Sequence, residues 1–197
     1  MTTTPRPRRG APPKGEVGAR ERILATASDL FYREGVRAIG VDTIVERSGV
    51  SKTSLYRLFD SKDALIAAFA AEKGRSFWAW WDDIEEQHAD DPRALLDALL
   101  SGLAERIGNS AYRGCAFLNL ATEFPDDQHP GRIAARSNKE ELQARLAAIV
   151  AKLGAQSPDR VASQIAMLIN GALATGLIMQ PADLRGDLID AVTKLLA

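Results

Sequence analysis

The chain has 197 residues, of which 46% are hydrophobic and 26% charged, the balance of an ordinary soluble globular protein. Its 25 Lys+Arg against 26 Asp+Glu give a net charge of −1, which excludes a polycation or an acidic-tail protein when the chain is taken whole. One Cys excludes an internal disulfide and a Cys-rich zinc module, and the two His, His88 and His129, leave little room for a His-built metal site, so no metal or cofactor is expected.

Residues 1–18 read as a basic arm, in which Pro5, Pro7, Pro12 and Pro13 alternate with Arg6, Arg8, Arg9 and Lys14. Proline removes backbone donors and fixes φ, so the segment is either a disordered tail or an arm that follows a DNA groove. No apolar run of signal-peptide type follows it, and the expected location is the cytoplasm. Charge is unevenly placed: residues 1–75 hold 14 Lys+Arg and 9 Asp+Glu, residues 76–197 hold 11 and 17, a split of +5 against −6. Such asymmetry points to nucleic-acid contact at the basic end.

Helical periodicity follows. Ile23, Leu24, Ala27, Leu30 and Phe31 line one face of a helix from about 19 to 34, ended by Gly35. Asp42 is placed to cap a short helix carrying Ile44 and Val45, and Ser51 to cap another carrying Leu55, Leu58 and Phe59. Asp60 or Ser61 opens a long helix with Leu65, Phe69, Phe77, Trp78 and Trp81. Pro92 sits near the start of a leucine-rich helix that Gly108 and Asn109 stop, and a short helix around Cys115 to Phe124 ends at Pro125. Pro130 opens a helix closed by Gly154, and Pro158 opens one containing the uncharged stretch Val161 to Ala182. That stretch is long enough to span a bilayer, but Ser163, Gln164, Asn170, Thr175 and Gln180 interrupt it. A buried helix of a bundle or a dimer interface is expected instead, with no membrane. A last helix runs from about Asp183. About nine helices and no alternating strand pattern predict an all-α fold.

Gly40 to Ile66, GVDTIVERSGVSKTSLYRLFDSKDALI, reads helix, tight glycine turn, helix, polar cap, longer helix. With Ile44, Val45, Val50, Leu55, Leu58 and Phe59 turned inward, Ser51, Lys52, Thr53, Ser54, Tyr56 and Arg57 remain outside, and no acid lies between Ser51 and Phe59. A helix-turn-helix needs this arrangement to present a polar face to a major groove without repelling phosphates. Spacing alone equally allows a plain helical hairpin with a solvated face.

From Ala19 to about Phe77 the sequence resembles the DNA-binding domain of the tetracycline-repressor (TetR) family. The resemblance rests on the Gly35 stop, the Thr43 entry, the Gly49-Val50-Ser51 turn, the run Leu55-Tyr56-Arg57-Leu58-Phe59 and Lys62. It implies a helix-turn-helix domain over 19–65 and a helical ligand-sensing and dimerisation domain over 66–197. It also implies that Thr43 meets phosphate and that Ser51, Lys52, Thr53 and Arg57 lie along the recognition helix. Tyr56 would bind the sugar-phosphate backbone, and Lys62 would add charge at a phosphate. Arg57 stands where many relatives carry His or another residue, and it could pair with guanine or hold a phosphate. The implied partners are a near-palindromic double-stranded operator, a second copy through helices near 159–180 and 183–197, and a small-molecule effector of unidentified chemistry.

Arg113 to Pro130 resembles a stretch of a subset of TetR-like regulators. Trp78 and Trp81 share a helix face, while Phe77 and Trp80 point elsewhere. They form either a core cluster or the aromatic wall of a cavity, which Phe117, Phe124, Met167, Asn170 and Thr175 could complete with Asn119 or Glu123 as polar anchors. A largely apolar or aromatic ligand is expected. Cys115 is a small buried hydrophobe or a redox-sensing thiol. Glu123, Asp126, Asp127 and His129 are solvated loop residues or a metal site. The small residues Gly171, Ala172, Ala174 and Gly176, with Leu184, Leu188, Ile189, Val192 and Leu195, supply the apolar faces expected of a dimer interface. No Ser-His-Asp set or glycine-rich phosphate loop supports an enzyme. A protein-binding helical adaptor is the other alternative, and the regulator reading is of a repressor released by its ligand.

Overall fold

A computed structural model describes residues 18–179 and 183–196, so the basic arm falls outside the described residues apart from Gly18. The first three helices close around one apolar cluster. Helix α1 (Ala19–Glu34) ends where Gly35 takes φ 91°, a conformation that only glycine adopts without strain. Helix α2 (Val41–Ser48) ends the same way at Gly49, φ 65°, and α3 (Lys52–Leu58) begins at Ser51, whose hydroxyl accepts from the Ser54 amide at 3.2 Å. The expected Asp42 cap does not form. Helix α2 starts at Val41 with Gly40 at the cap position, which leaves Asp42 inside the first turn. There its charge complements the helix dipole.

Ser61, not Asp60, caps α4 (Lys62–Gln87) by accepting from the Ala64 amide at 3.0 Å. At 26 residues α4 is about 39 Å long. Its first half gives Leu65, Ile66, Phe69 and Ala70 to the core of α1–α3, and Trp81 enters a second core. That second core is built by α5 (Pro92–Ile107), α7 (Pro130–Lys152), α8 (Pro158–Ile178) and α9 (Leu184–Leu196). Asp91 caps α5 with Pro92 behind it, as the proline spacing predicts. Between them α6 (Ala116–Glu123) turns Phe117 and Leu120 into the first core, not the second. The described residues thus form nine helices and no strand, an all-α fold as expected.

Trp81 is a core residue, 0% exposed, while the Phe77, Trp78 and Trp80 rings pack around it from partly buried positions. Helix α8 is the one described helix long and apolar enough to cross a membrane, with a mean hydropathy of 1.6. Ile165, Ile169 and Ala172 face the second core. Met167, Gly171, Ala174 and Ile178, spaced by four, three and four residues, form an outward stripe. Gly176 is not part of that stripe. A Cβ there would come within 1.9 Å of Ile107 Cγ2, so its smallness serves the contact between α8 and α5.

Candidate nucleic-acid interface and ligand cavity

Leu55 is fully buried and Phe59 nearly so, and they fix α3 with its opposite face outward. Ser51, Lys52, Thr53, Tyr56 and Arg57 are all exposed on that face, Tyr56 at 44%. Thr43 lies half-buried near the start of α2. The face is not free of acid, because Asp42 reaches across from α2 to Lys52 Nζ at 2.7 Å. That hydrogen bond, then the charge itself, raises the Lys52 pKa above its ordinary value. Sequence inspection of α3 alone misses this pair because the acid sits on the preceding helix.

Lys62 occupies a different setting from the other cations. Its ammonium donates to the Val36 carbonyl at 2.7 Å and lies 5.9 Å from the Phe31 ring centroid. Burial lowers its pKa, against the opposing pull of Glu123 and Asp63. In this structure the side chain braces the turn after α1, and the start of α4 remains at the surface.

The same turn is held from the other side. Glu123 accepts from the amides of Val36 at 3.1 Å and Arg37 at 2.7 Å. Glu123, expected as a cavity anchor, lies instead at the far end of α6, where it links that helix to the α1–α2 turn. Phe124 also leaves the cavity and stacks on His129 with centroids 3.7 Å apart. Among the described residues no three His, Cys, Asp or Glu side chains gather as a metal site.

A cavity of about 410 Å³ opens between α4, α5, α7 and α8. Phe77, Leu103, Phe117, Leu142, Ile169 and Leu173 give it apolar walls. Of the residues expected to line it, Phe77 and Phe117 do so. Asn119 and Asn170 stand beside it: Asn119 donates to the Arg113 carbonyl at 3.0 Å, and Asn170 accepts from Lys139 at 2.8 Å. Trp78 lines a separate groove between α4 and α7, Trp81 is core, and Met167 is 62% exposed on the outer face of α8. Sequence inspection missed Tyr32, Lys73, Arg106, Tyr112, Asn138 and Lys139, which also line the cavity. Tyr32 donates to the Gly114 carbonyl and accepts from the Arg113 amide, both at 3.0 Å, so α1 closes one wall. Burial pushes the Tyr112 phenol well above its ordinary pKa, and its hydroxyl donates to the Leu173 carbonyl at 2.9 Å. Cys115 lines the cavity with its sulfur 3.7 Å from Lys139 Nζ.

Residues 23–69 match the family model described as bacterial regulatory proteins, tetR family. The chain is 30% identical over 169 residues to the HTH-type transcriptional regulator Rv1255c of Mycobacterium tuberculosis (strain ATCC 25618 / H37Rv), covering 83% of this chain and 76% of that one. It is also similar to the crystal structure of SCO4454, a TetR-family transcriptional regulator from Streptomyces coelicolor. There the TM-score is 0.86 at 29% identity, over 90% of this chain and 94% of that one. A shorter match, 32% identical over 102 residues, covers 49% of this chain and 47% of the HTH-type transcriptional repressor KstR2 of Rhodococcus jostii (strain RHA1).

Proposed function

The chain belongs to the TetR family of DNA-binding transcriptional regulators, which are transcription factors and not enzymes, and from that premise we propose that it is a cytoplasmic homodimeric repressor released from its operator by a small molecule. The observation that carries the DNA-reading role is the exposed face of α3. Ser51, Lys52, Thr53, Tyr56 and Arg57 project together from a helix locked by Leu55. On this reading residues 19–65 read DNA and residues 66–197 sense and dimerise. Lys52 exchanges Asp42 for a phosphate, Arg57 reaches base edges or phosphate, and Thr43 and Tyr56 hold the backbone. Lys62 acts by bracing the turn, with the α4 start offering its amides to a phosphate.

Dimerisation is typical of the family, and the exposed apolar stripe of α8 with the neighbouring Leu177 and Met179 supports α8 as the interface. The apolar residues expected to extend it from α9 pack instead into the protomer's own second core, where Leu188 and Val192 are buried. The repressor sense is supported by the partial relative that bears that name. Effector coupling is supported by α6. Its first turn carries Ala116 and Phe117 in the cavity wall, and its last residue, Glu123, grips the turn that leads into α2. A ligand that prefers one position of α6 would bias the spacing of the two recognition helices by its differential affinity alone.

The test has two steps. Genomic fragments retained by the full chain at moderate salt are isolated, and binding is then measured by fluorescence anisotropy. The reading expects wild type to hold a fragment that Arg57→Ala and Lys52→Ala each bind at least tenfold more weakly. Unchanged affinity in both variants contradicts it. A small-molecule screen on the same fragment then tests release, and a screen in which nothing lowers DNA affinity removes the effector role.

A further inference from the structure

We propose that the cavity is built for an amphipathic organic anion, an apolar body carrying a single carboxylate, a statement that rests on the effector reading above and names its ligand class. Three cations line the cavity from three helices: Lys73 on α4, Arg106 on α5 and Lys139 on α7. No Asp or Glu is among the described lining residues, and none of the three forms an ion pair there within 4.0 Å. Each makes do with a weaker partner. Lys73 lies over the Tyr32 ring at 5.0 Å, Arg106 over Trp80 at 4.2 Å, and Lys139 donates to the Asn170 amide oxygen at 2.8 Å.

Like charges gathered in a partly desolvated space repel one another and are costly to bury without a counter-charge. Burial already depresses the Arg106 pKa. A second, independent feature points the same way. Asn138, 7% exposed and lining the cavity, carries a buried Nδ2 with no hydrogen-bond partner. A buried donor without an acceptor is destabilising, and a ligand oxygen satisfies it. Asn138 and Lys139 both line the cavity from α7, so a carboxylate between them can accept from the amide with one oxygen while facing the ammonium. The apolar walls require more than an inorganic ion, since Phe77, Leu103, Phe117 and Leu142 would otherwise face water. A cationic ligand would add a fourth like charge, and a neutral hydrocarbon would leave the Asn138 amide unpaired and the three cations without a counter-charge.

The experiment titrates the full chain by calorimetry with octanoate and with 2-naphthoate, each beside the amide and the amine of the same body. The expected result is that one acid binds at least tenfold more tightly than its amide and amine, with the amine weakest. Lys139→Met and Lys73→Met should each cut that acid-to-amide ratio at least threefold. Helicity by circular dichroism and the melting midpoint identify a variant that fails to fold, and the second variant then carries the comparison. Amide or amine binding as tightly as the acid overturns the anion proposal and leaves the cavity as an effector site. A ratio unchanged in both variants, or no saturable binding of either acid at millimolar concentration, also overturns it. The effector reading itself falls only if the screen on the DNA fragment finds no releasing compound.

Discussion

Lys62 and Lys52 are both lysines of the DNA-binding end, yet their surroundings assign them different work. Lys52 is exposed and paired to Asp42 across two helices, so its ammonium can change partners at little cost. Lys62 is half-buried and bonded to a backbone carbonyl that would otherwise lack that donor. Lys62→Ala should therefore cost about 1–2 kcal/mol, roughly 2–8 °C in melting midpoint, and weaken all DNA alike. Lys52→Ala should leave the midpoint within about 1 °C, in line with surface pairs worth little, while reducing DNA affinity. Thermal melts of the two variants beside wild type check both statements, and an equal drop in both would refute the distinction. Arg57→Ala, measured on a permuted set of sites, should relax preference at one base position if the guanidinium reads guanine. Uniform loss on every site assigns it to phosphate.

At the scale of helices, termini were the legible part of the sequence. Ser51, Gly49, Pro92, Pro130 and Pro158 each mark an end by a local physical device, and the helices start and stop there. Asp42 misled because a cap and a first-turn acid look alike when the start shifts by two residues. The cavity was the illegible part. Its cations come from three helices far apart in sequence, and nothing in any one helix distinguishes Lys73 or Arg106 from a solvated surface charge. Glu123 illustrates the same limit: it lies six residues from Phe117 on α6, a rotation that at about 100° per residue turns it away from the cavity. The link it makes has a measurable consequence. Glu123→Ala leaves two backbone donors at Val36 and Arg37 without acceptors, so hydrogen exchange at those amides should rise at least tenfold while the α8 amides stay protected. Uniform acceleration across the chain would mean global destabilisation and no specific link. Gly176→Ala forces a methyl into Ile107 and should cost about 1–3 kcal/mol, with Gly176→Ala/Ile107→Ala losing less than the sum of the two single changes in denaturant melts.

For the whole molecule, the net charge of −1 conceals a division of labour. On the proposed reading the cationic excess belongs to the end that meets phosphates, and the acidic excess to the end that stays off the DNA. On the same reading the outward stripe of α8 meets a second copy. Replacing Met167 and Ile178 by Glu should convert a dimer to a monomer by sedimentation velocity, with the α-helical signal retained and DNA affinity reduced at least tenfold. A double variant that stays dimeric would move the interface elsewhere. The central claim is that two α3 helices read one symmetric DNA site. Its most direct measurement is selection of genomic fragments by the full chain, followed by footprinting of the retained DNA across a salt series. The expected result is an inverted repeat whose half-sites are centred about 34–36 Å apart or a multiple of that, with affinity falling linearly on a logarithmic salt scale. No enriched fragment, or binding without symmetry and without a salt slope, would contradict the account.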